Sequence, residues 1–298
     1  MTVHRNPKIP EGINVSPDHP LKEFAWLIAA VSIAVIITIA CLAFAAEHLV
    51  RFIPFETEAK LAARFNSTLF NSEITERDSN NQENNLRIET YLQKLANQLA
   101  TQQELPENMN ITVHYVDDET VNAFATLGGH VFMFRGLIEK LSSENALSMV
   151  LGHEIAHIKH RDPIISLGRG VTIGLALASL TGFGDSGFSQ ELVGSVGLVT
   201  SLKFGRDQET EADNEAMKSL YKHYGHAIGA DELFTIFKEI HGNSITPEIL
   251  TTHPMDDRRI NAIHEFNKKL GSPESLTPAE KQSHLTPLPN FISPLKPH

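Results

Sequence analysis

A mainly helical α+β domain with a small antiparallel sheet, preceded by one transmembrane helix, is the fold class that this 298-residue sequence predicts. Three observations predict it: an apolar run without a charge near the N-terminus, short alternating segments flanking a Gly-Gly pair, and several segments with apolar residues at helical spacing. The length allows one large domain or two small ones. Lys+Arg 25 against Asp+Glu 36 gives a net charge of −11, and no basic run stands out, so nucleic acid is excluded as a partner. Charged residues at 20% and hydrophobic ones at 41% argue against a coiled coil or a multi-span membrane protein. The single cysteine, Cys41, excludes an intrachain disulfide, so any zinc site must be built from histidines and carboxylates. Fifteen histidines are the oddity of the composition.

Residues 24–46 are uncharged and, at about 1.5 Å per residue in a helix, long enough to cross a hydrocarbon core. Ala43-Phe44-Ala45 resembles a signal-peptide cleavage site, but the apolar core is longer than a usual h-region, so an uncleaved anchor is expected. Apolar sequence continues past Cys41, which favours a core thiol over lipidation. Arg5, Lys8 and Lys22 before the span balance Arg51, Lys60 and Arg64 after it, and the α-amino group tips the N-terminus inwards. Residues 1–23 read as a tail and 47–85 as a helical connector with a polar loop. Residues 271–298, rich in proline, read as a second tail.

Ile88, Tyr91, Leu92, Leu95 and Leu99 predict a scaffold helix over 86–103. Ile111, Val113 and Tyr115 alternate with polar neighbours, and 121–126 leads through Gly128-Gly129 into 130–134, which reads as an antiparallel hairpin. A helix then starts at a Ser142 or Ser143 cap and runs to Arg161, with Pro163 expected to end it. The apolar stretches 171–180 and 192–202 are each too short to span a bilayer and are expected to form a buried helix pair, with a membrane-dipping hairpin as the alternative. A polar helix over about 203–224 and two or three shorter ones complete the domain.

His153-Glu154-Ile155-Ala156-His157 lies within the capped helix. A spacing of four puts both imidazoles on one helix face, where they can share one zinc ion, with Glu154 beside it to take a proton from water. Downstream, Glu209 and Asp213, one turn apart on the polar helix, are candidates for a third ligand and a supporting carboxylate, although such a pair taken alone usually marks a solvated face. Glu211 and Glu215 lie on other faces and read as solvated. His160 sits too far along the helix to replace His153 at one metal, and His130 reads as an edge-strand residue.

The HEIAH motif, the downstream Arg-x-x-Glu-x-x-Ala-Asp helix and the preceding NAFATLGGHVFMFRGL together resemble the gluzincin metalloendopeptidases that include HtpX, the CAAX prenyl protease, the mitochondrial Oma protease and the BepA type. The resemblance implies a zincin-like metalloprotease domain over residues 86–270, with one zinc ion held by His153, His157 and Glu209. It further implies Glu154 as general base, Asp213 as support, and Asn122, Ala123, Phe124 and Ala125 as the edge strand on which extended substrate pairs. Gly205 stands where the family usually has Ser. His253-Pro254 followed by Arg258 resembles a family His-Pro loop near the active site, and His253 or Arg258 is expected to stabilise the oxyanion.

The expected function is a membrane-anchored zinc endopeptidase acting on unfolded or extended protein segments, in envelope quality control. Its expected place is the bacterial inner membrane, held by residues 24–46, with the protease domain in the periplasm. A membrane-tethered, zinc-containing binder with little proteolytic activity is the alternative. An integral prenyl-protein protease fits less well, because one span rather than many is legible.

Overall fold

The computed structural model describes residues 20–71, 82–181, 204–240, 249–254, 257–269 and 276–292. Helix α1 (Pro20–Val50) contains the apolar run and is the one described helix long and apolar enough to cross a membrane. Cys41 is exposed on it rather than in a core. Helix α2 (Phe55–Asn71) follows directly and docks through Glu58, which is 2% exposed. The Glu58 carboxylate accepts the Gly128 N–H at 2.9 Å and the Arg161 Nε–H at 2.8 Å. The expected connector is thus helical here and is docked onto the Gly128 turn and Arg161.

Helix α3 (Gln82–Gln102) buries Ile88, Leu92, Leu95 and Leu99, as their helical spacing requires. Strands β1 (Thr112–Val116), β2 (Ala123–Thr126) and β3 (His130–Phe134) form one sheet in the order β1-β3-β2. The sheet is mixed: β2 and β3 make the expected antiparallel hairpin, whereas β1 pairs parallel to β3, with Val113 opposite Val131. The turn between β2 and β3 places Gly128 and Gly129 at φ 76° and 83°. A Cβ on Gly129 would meet the Asn110 carbonyl oxygen at 2.0 Å, so no other residue fits there. One sheet face packs Val113, Tyr115, Val131 and Met133 against the core of α3 and helix α5 (Glu144–His160).

A short helix α4 (Arg135–Ile138) leads to α5, whose Ser143 Oγ accepts the Ala146 N–H at 3.2 Å. Arg161, at φ 64°, ends α5; Pro163 lies in the first turn of helix α6 (Asp162–Thr181), where its missing N–H is harmless. Helix α7 (Arg206–Tyr224) packs along α5. Helices α8 (Glu232–Ile240), α9 (Ile249–Thr252), α10 (Asp257–Lys269) and α11 (Pro278–His284) follow.

The proline-rich C-terminal stretch, expected as a tail, is docked over its described residues. Glu144 donates its N–H to the Thr286 carbonyl at 2.8 Å, and Leu288 and Ile292 enter the main core. The expected apolar stretch 192–202, most of the polar loop and the N-terminal tail lie outside the described residues.

Candidate metal centre

Helix α5 is buried along nearly its whole length, which fixes the rotation of its two histidines. His153 Nε2 and His157 Nε2 lie 3.0 Å apart, one helical turn bringing them together. The other ring nitrogens are held by carboxylates: His153 Nδ1 is 2.9 Å from Asp213 Oδ1, and His157 Nδ1 is 2.8 Å from Asp162 Oδ2. With both Nδ1–H groups donating, two ring lone pairs face one another. That contact needs a shared proton or a cation between the rings.

Glu209, one turn from Asp213 on α7, brings Oε2 to 3.4 Å from His153 Nε2 and Oε1 to 3.5 Å from His157 Nε2. Zinc–nitrogen bonds of about 2.0–2.1 Å imply ligand–ligand separations of about 3.3 Å around a tetrahedron, so these residues fit one zinc ion. A fourth donor joins them: His253 Nδ1 is 3.0 Å from Glu209 Oε1 and 3.3 Å from His153 Nε2. His153, His157, Glu209 and His253 thus form one buried cluster with a ligand atom from each within 4.8 Å of the others. Their oxygen and nitrogen donors are the set zinc takes, with no thiolate required.

Electrostatics prepare Glu209 as an anionic ligand. Burial alone would raise its pKa, but the His253, His153 and His157 imidazoles hold it well below the carboxylate range. Burial disfavours charge on His153, yet the Asp213 and Glu209 carboxylates overcome this and raise its pKa to about 10. A bound cation therefore displaces a proton from this site. Asp213 is itself held low against burial by Arg259 and His153.

Glu154 is 1% exposed, its Oε1 is 3.6 Å from His253 Nε2, and its Oε2 has no hydrogen-bond partner among the described residues. A buried carboxylate beside the metal ligands, not among them, is placed to exchange a proton there. Phe204 stacks on His157, with ring centroids 4.0 Å apart, and closes another side of the centre.

Sequence reasoning missed three residues here. Arg258 is exposed at the start of α10, whereas its neighbour Arg259 is buried and forks onto Asp213 at 2.6 and 2.9 Å. Arg259 Nη1 also lies 2.7 Å from Glu209 Oε2. Adjacent arginines differ only by helical phase, which the sequence leaves open. Asp162 was signalled by its position shortly after His157, just past the end of α5. Gln208 holds Asp162 from the other side at 2.6 Å while its Oε1 accepts the Gly205 N–H, so Gly205 opens α7 without a capping side chain. Among the expected surface residues, Glu211 is exposed and Glu215 pairs with Lys159 and Lys218. His130 begins the central strand β3 rather than an edge strand, with His114 of β1 2.8 Å away, and His160 is half-buried.

Asn122, Ala123, Phe124 and Ala125 lie at the β2 edge. Phe134 donates its N–H to the Asn122 carbonyl, so Asn122 and Phe124 face β3, and the backbone groups of Ala123 and Ala125 face away. Phe124 packs on Phe132 at 4.9 Å between centroids. The Val121 carbonyl accepts the Ile249 N–H at the start of α9 at 3.5 Å, and α9 leads straight into His253.

Comparison with known proteins agrees with this geometry. Residues 86–267 match the model of peptidase family M48. The chain is 32% identical over 159 residues to the mitochondrial metalloendopeptidase OMA1 of Schizosaccharomyces pombe, covering 52% of this chain and 46% of that one. It is 30% identical over 166 residues to a putative beta-barrel assembly-enhancing protease of Vibrio cholerae, covering 52% and 34%. It is 26% identical over 231 residues to a protease HtpX homolog of Aquifex aeolicus, covering 61% and 73%. The match thus spans less than half of the first two relatives. A family match over most of the chain, centred on the helices that carry these ligands, shows that the chain belongs to peptidase family M48.

Proposed function

We propose that this chain is a membrane-anchored zinc endopeptidase that hydrolyses peptide bonds in unfolded or extended protein segments. The observation that carries this reading is Glu154, buried beside a histidine–carboxylate cluster with a carboxylate oxygen that has no described hydrogen-bond partner. Bound zinc supplies a lowered water pKa and polarises a carbonyl. Glu154 accepts the proton of the attacking water and returns it to the leaving amine. Asp213 and Asp162 hold the two imidazoles in orientation, and Arg259 fixes Asp213 in turn.

In this reading His253 takes a different role from the one expected of it. A hydrolytic zinc site keeps one position open, and His253 Nδ1 stands where a fourth ligand would bind. His253 therefore has to withdraw before a peptide enters. Ala123 and Ala125 supply the outward backbone groups on which an extended chain pairs. Both are buried here, as is Glu154, so substrate binding requires that they be uncovered.

Residues 24–46 anchor the chain, and the N-terminus-inside orientation would place the domain in the periplasm for envelope quality control. The relatives named as a beta-barrel assembly-enhancing protease and an HtpX protease support that setting. The test is cleavage of an unfolded protein by the full chain in detergent. Activity should be lost with a chelator, regained with zinc, and absent in Glu154→Gln at full zinc content. Zinc binding without cleavage by the wild-type chain would favour the tethered-binder alternative. His253→Ala should speed hydrolysis of a small peptide; a loss of about 10²–10³-fold would instead assign it to the oxyanion.

A further inference from the structure

Helix α6 changes character along its length. Ile164, Ile165 and Ser166 are buried in the domain, but Val171 is 39% exposed. From residue 170 to 184 the sequence carries no charge. A helix buried in a protein core would not expose its apolar residues, and one lying in water would carry a polar face. Val171, exposed within this uncharged stretch, fits neither description.

The neighbour of this half is α1. Helix α6 packs along α1, and Arg169 pairs with Glu47 at 3.2 Å. Glu47 is the first charge after the apolar run 24–46. On α1, Val35, Ile39, Ala43, Ala45, Glu47 and Val50 are half-buried, while Ile33, Ile36, Ile37, Leu42 and Phe44 are at least 55% exposed. A stripe with a repeat of four is the signature of one face packed against another helix. The stripe reaches back from the ion pair to Val35, and the described part of α6 reaches as far past Arg169, to Thr181. That length is a little over three turns, about 18 Å, which is more than half of a hydrocarbon core of about 30 Å.

We propose that α6 beyond Arg169 enters the bilayer beside α1, so that lipid acyl chains cover its outward face. The Arg169–Glu47 pair marks the boundary of the hydrocarbon layer. The proposal rests on the reading of α1 as a membrane anchor and adds a second embedded helix to it. A helix satisfies its own backbone groups, so this segment needs no further partner within the apolar layer. Asp162, which holds His157, precedes Arg169 by about two turns, or about 10 Å along α6. The metal centre is thereby held close to the membrane surface.

The test uses the full chain in liposomes, with Cys41→Ser as background and single cysteines at each position from 171 to 181 carrying a nitroxide label. Collision with oxygen, which concentrates in lipid, is compared with collision with a water-soluble nickel chelate. Labels at Ile37 on α1 and at Glu211, exposed on α7, provide the lipid and water references. The expected result is a helical period along 171–181. Positions facing α1 exclude both reagents, and the remainder show an oxygen-to-nickel ratio several-fold above that at Glu211. That ratio should rise towards residue 181 and reach the Ile37 value near residue 179, which lies level with Ile37. Nickel access like that at Glu211, or exclusion of both reagents at every position, overturns the proposal while leaving the anchor intact if Ile37 reads as lipid. A water-like signal at Ile37 overturns the anchor and the proposal together.

Discussion

The two edges of the small sheet are chemically opposite. Along β1, every outward backbone group for which a bond is described is held by a side chain of α3. The Gln93 carboxamide accepts the Val113 N–H at 2.8 Å and donates to the Ile111 carbonyl at 3.0 Å, and Glu89 accepts the Tyr115 N–H at 3.1 Å. One helix thus supplies the hydrogen bonds of a neighbouring strand and blocks that edge to any other chain. Along β2, the outward groups of Ala123 and Ala125 make no such bond among the described residues. β2 is also the edge nearer the catalytic elements, since it contacts α5 and α9. Strand addition is thereby blocked at β1, whereas β2 keeps outward backbone groups without a described bond.

Proline substitution at β2 should produce the largest effect. Proline removes an N–H and fixes φ, so Ala123→Pro and Ala125→Pro delete a donor offered to substrate without touching the bonds to β3. Cleavage of long unfolded proteins should fall about 10- to 100-fold, with zinc content unchanged. Small peptides that barely use the strand should suffer less. Normal rates on long substrates, in variants that fold and bind zinc, would remove β2 as the platform.

A smaller effect, of a different kind, is expected at the sealed edge. Val113→Pro leaves the Gln93 carboxamide without its donor and should cost about 1–3 kcal/mol in a denaturation experiment. Activity per folded molecule should stay within about twofold of wild type, because α3 already covers that edge and the change acts on stability. A loss matching that of Ala125→Pro would show that the edges are not functionally distinct. Gln93→Ala is the mildest probe, with a stability loss of about 0.5–1.5 kcal/mol. It uncovers the Ile111 carbonyl and the Val113 N–H, and self-association by sedimentation in detergent should increase. No change in association would mean that Glu89 alone suffices to seal β1.

What the sequence made legible follows the range of the interactions. His153, Glu154 and His157 are fixed by spacing within one helix, and the cap before the apolar stripe was readable to within Ser142 or Ser143, with the structure choosing Ser143. Glu209 and Asp213 came with a family motif, and the structure brings both to the histidines from a separate helix far along the chain. Gln93 and Glu89 were not legible, because polar residues between core positions of α3 look like a solvated face until β1 is laid beside them. Leu288 and Ile292 were hidden in a proline-rich stretch whose docking depends on the bond between Glu144 and Thr286, far away in sequence. The parallel pairing of β1 was equally beyond a local reading, since alternation gives strand faces and not strand direction.

Whether substrate joins the β2 edge and no other is decided by amide hydrogen exchange on the Glu154→Gln chain, with and without a bound unfolded protein. Substrate should slow exchange at Ala123 and Ala125 at least 10-fold and leave Val113 and Tyr115, already bonded to α3, unchanged. Slowed exchange along β1, or none at Ala123 and Ala125 when substrate is demonstrably bound, would refute the assignment of the two edges.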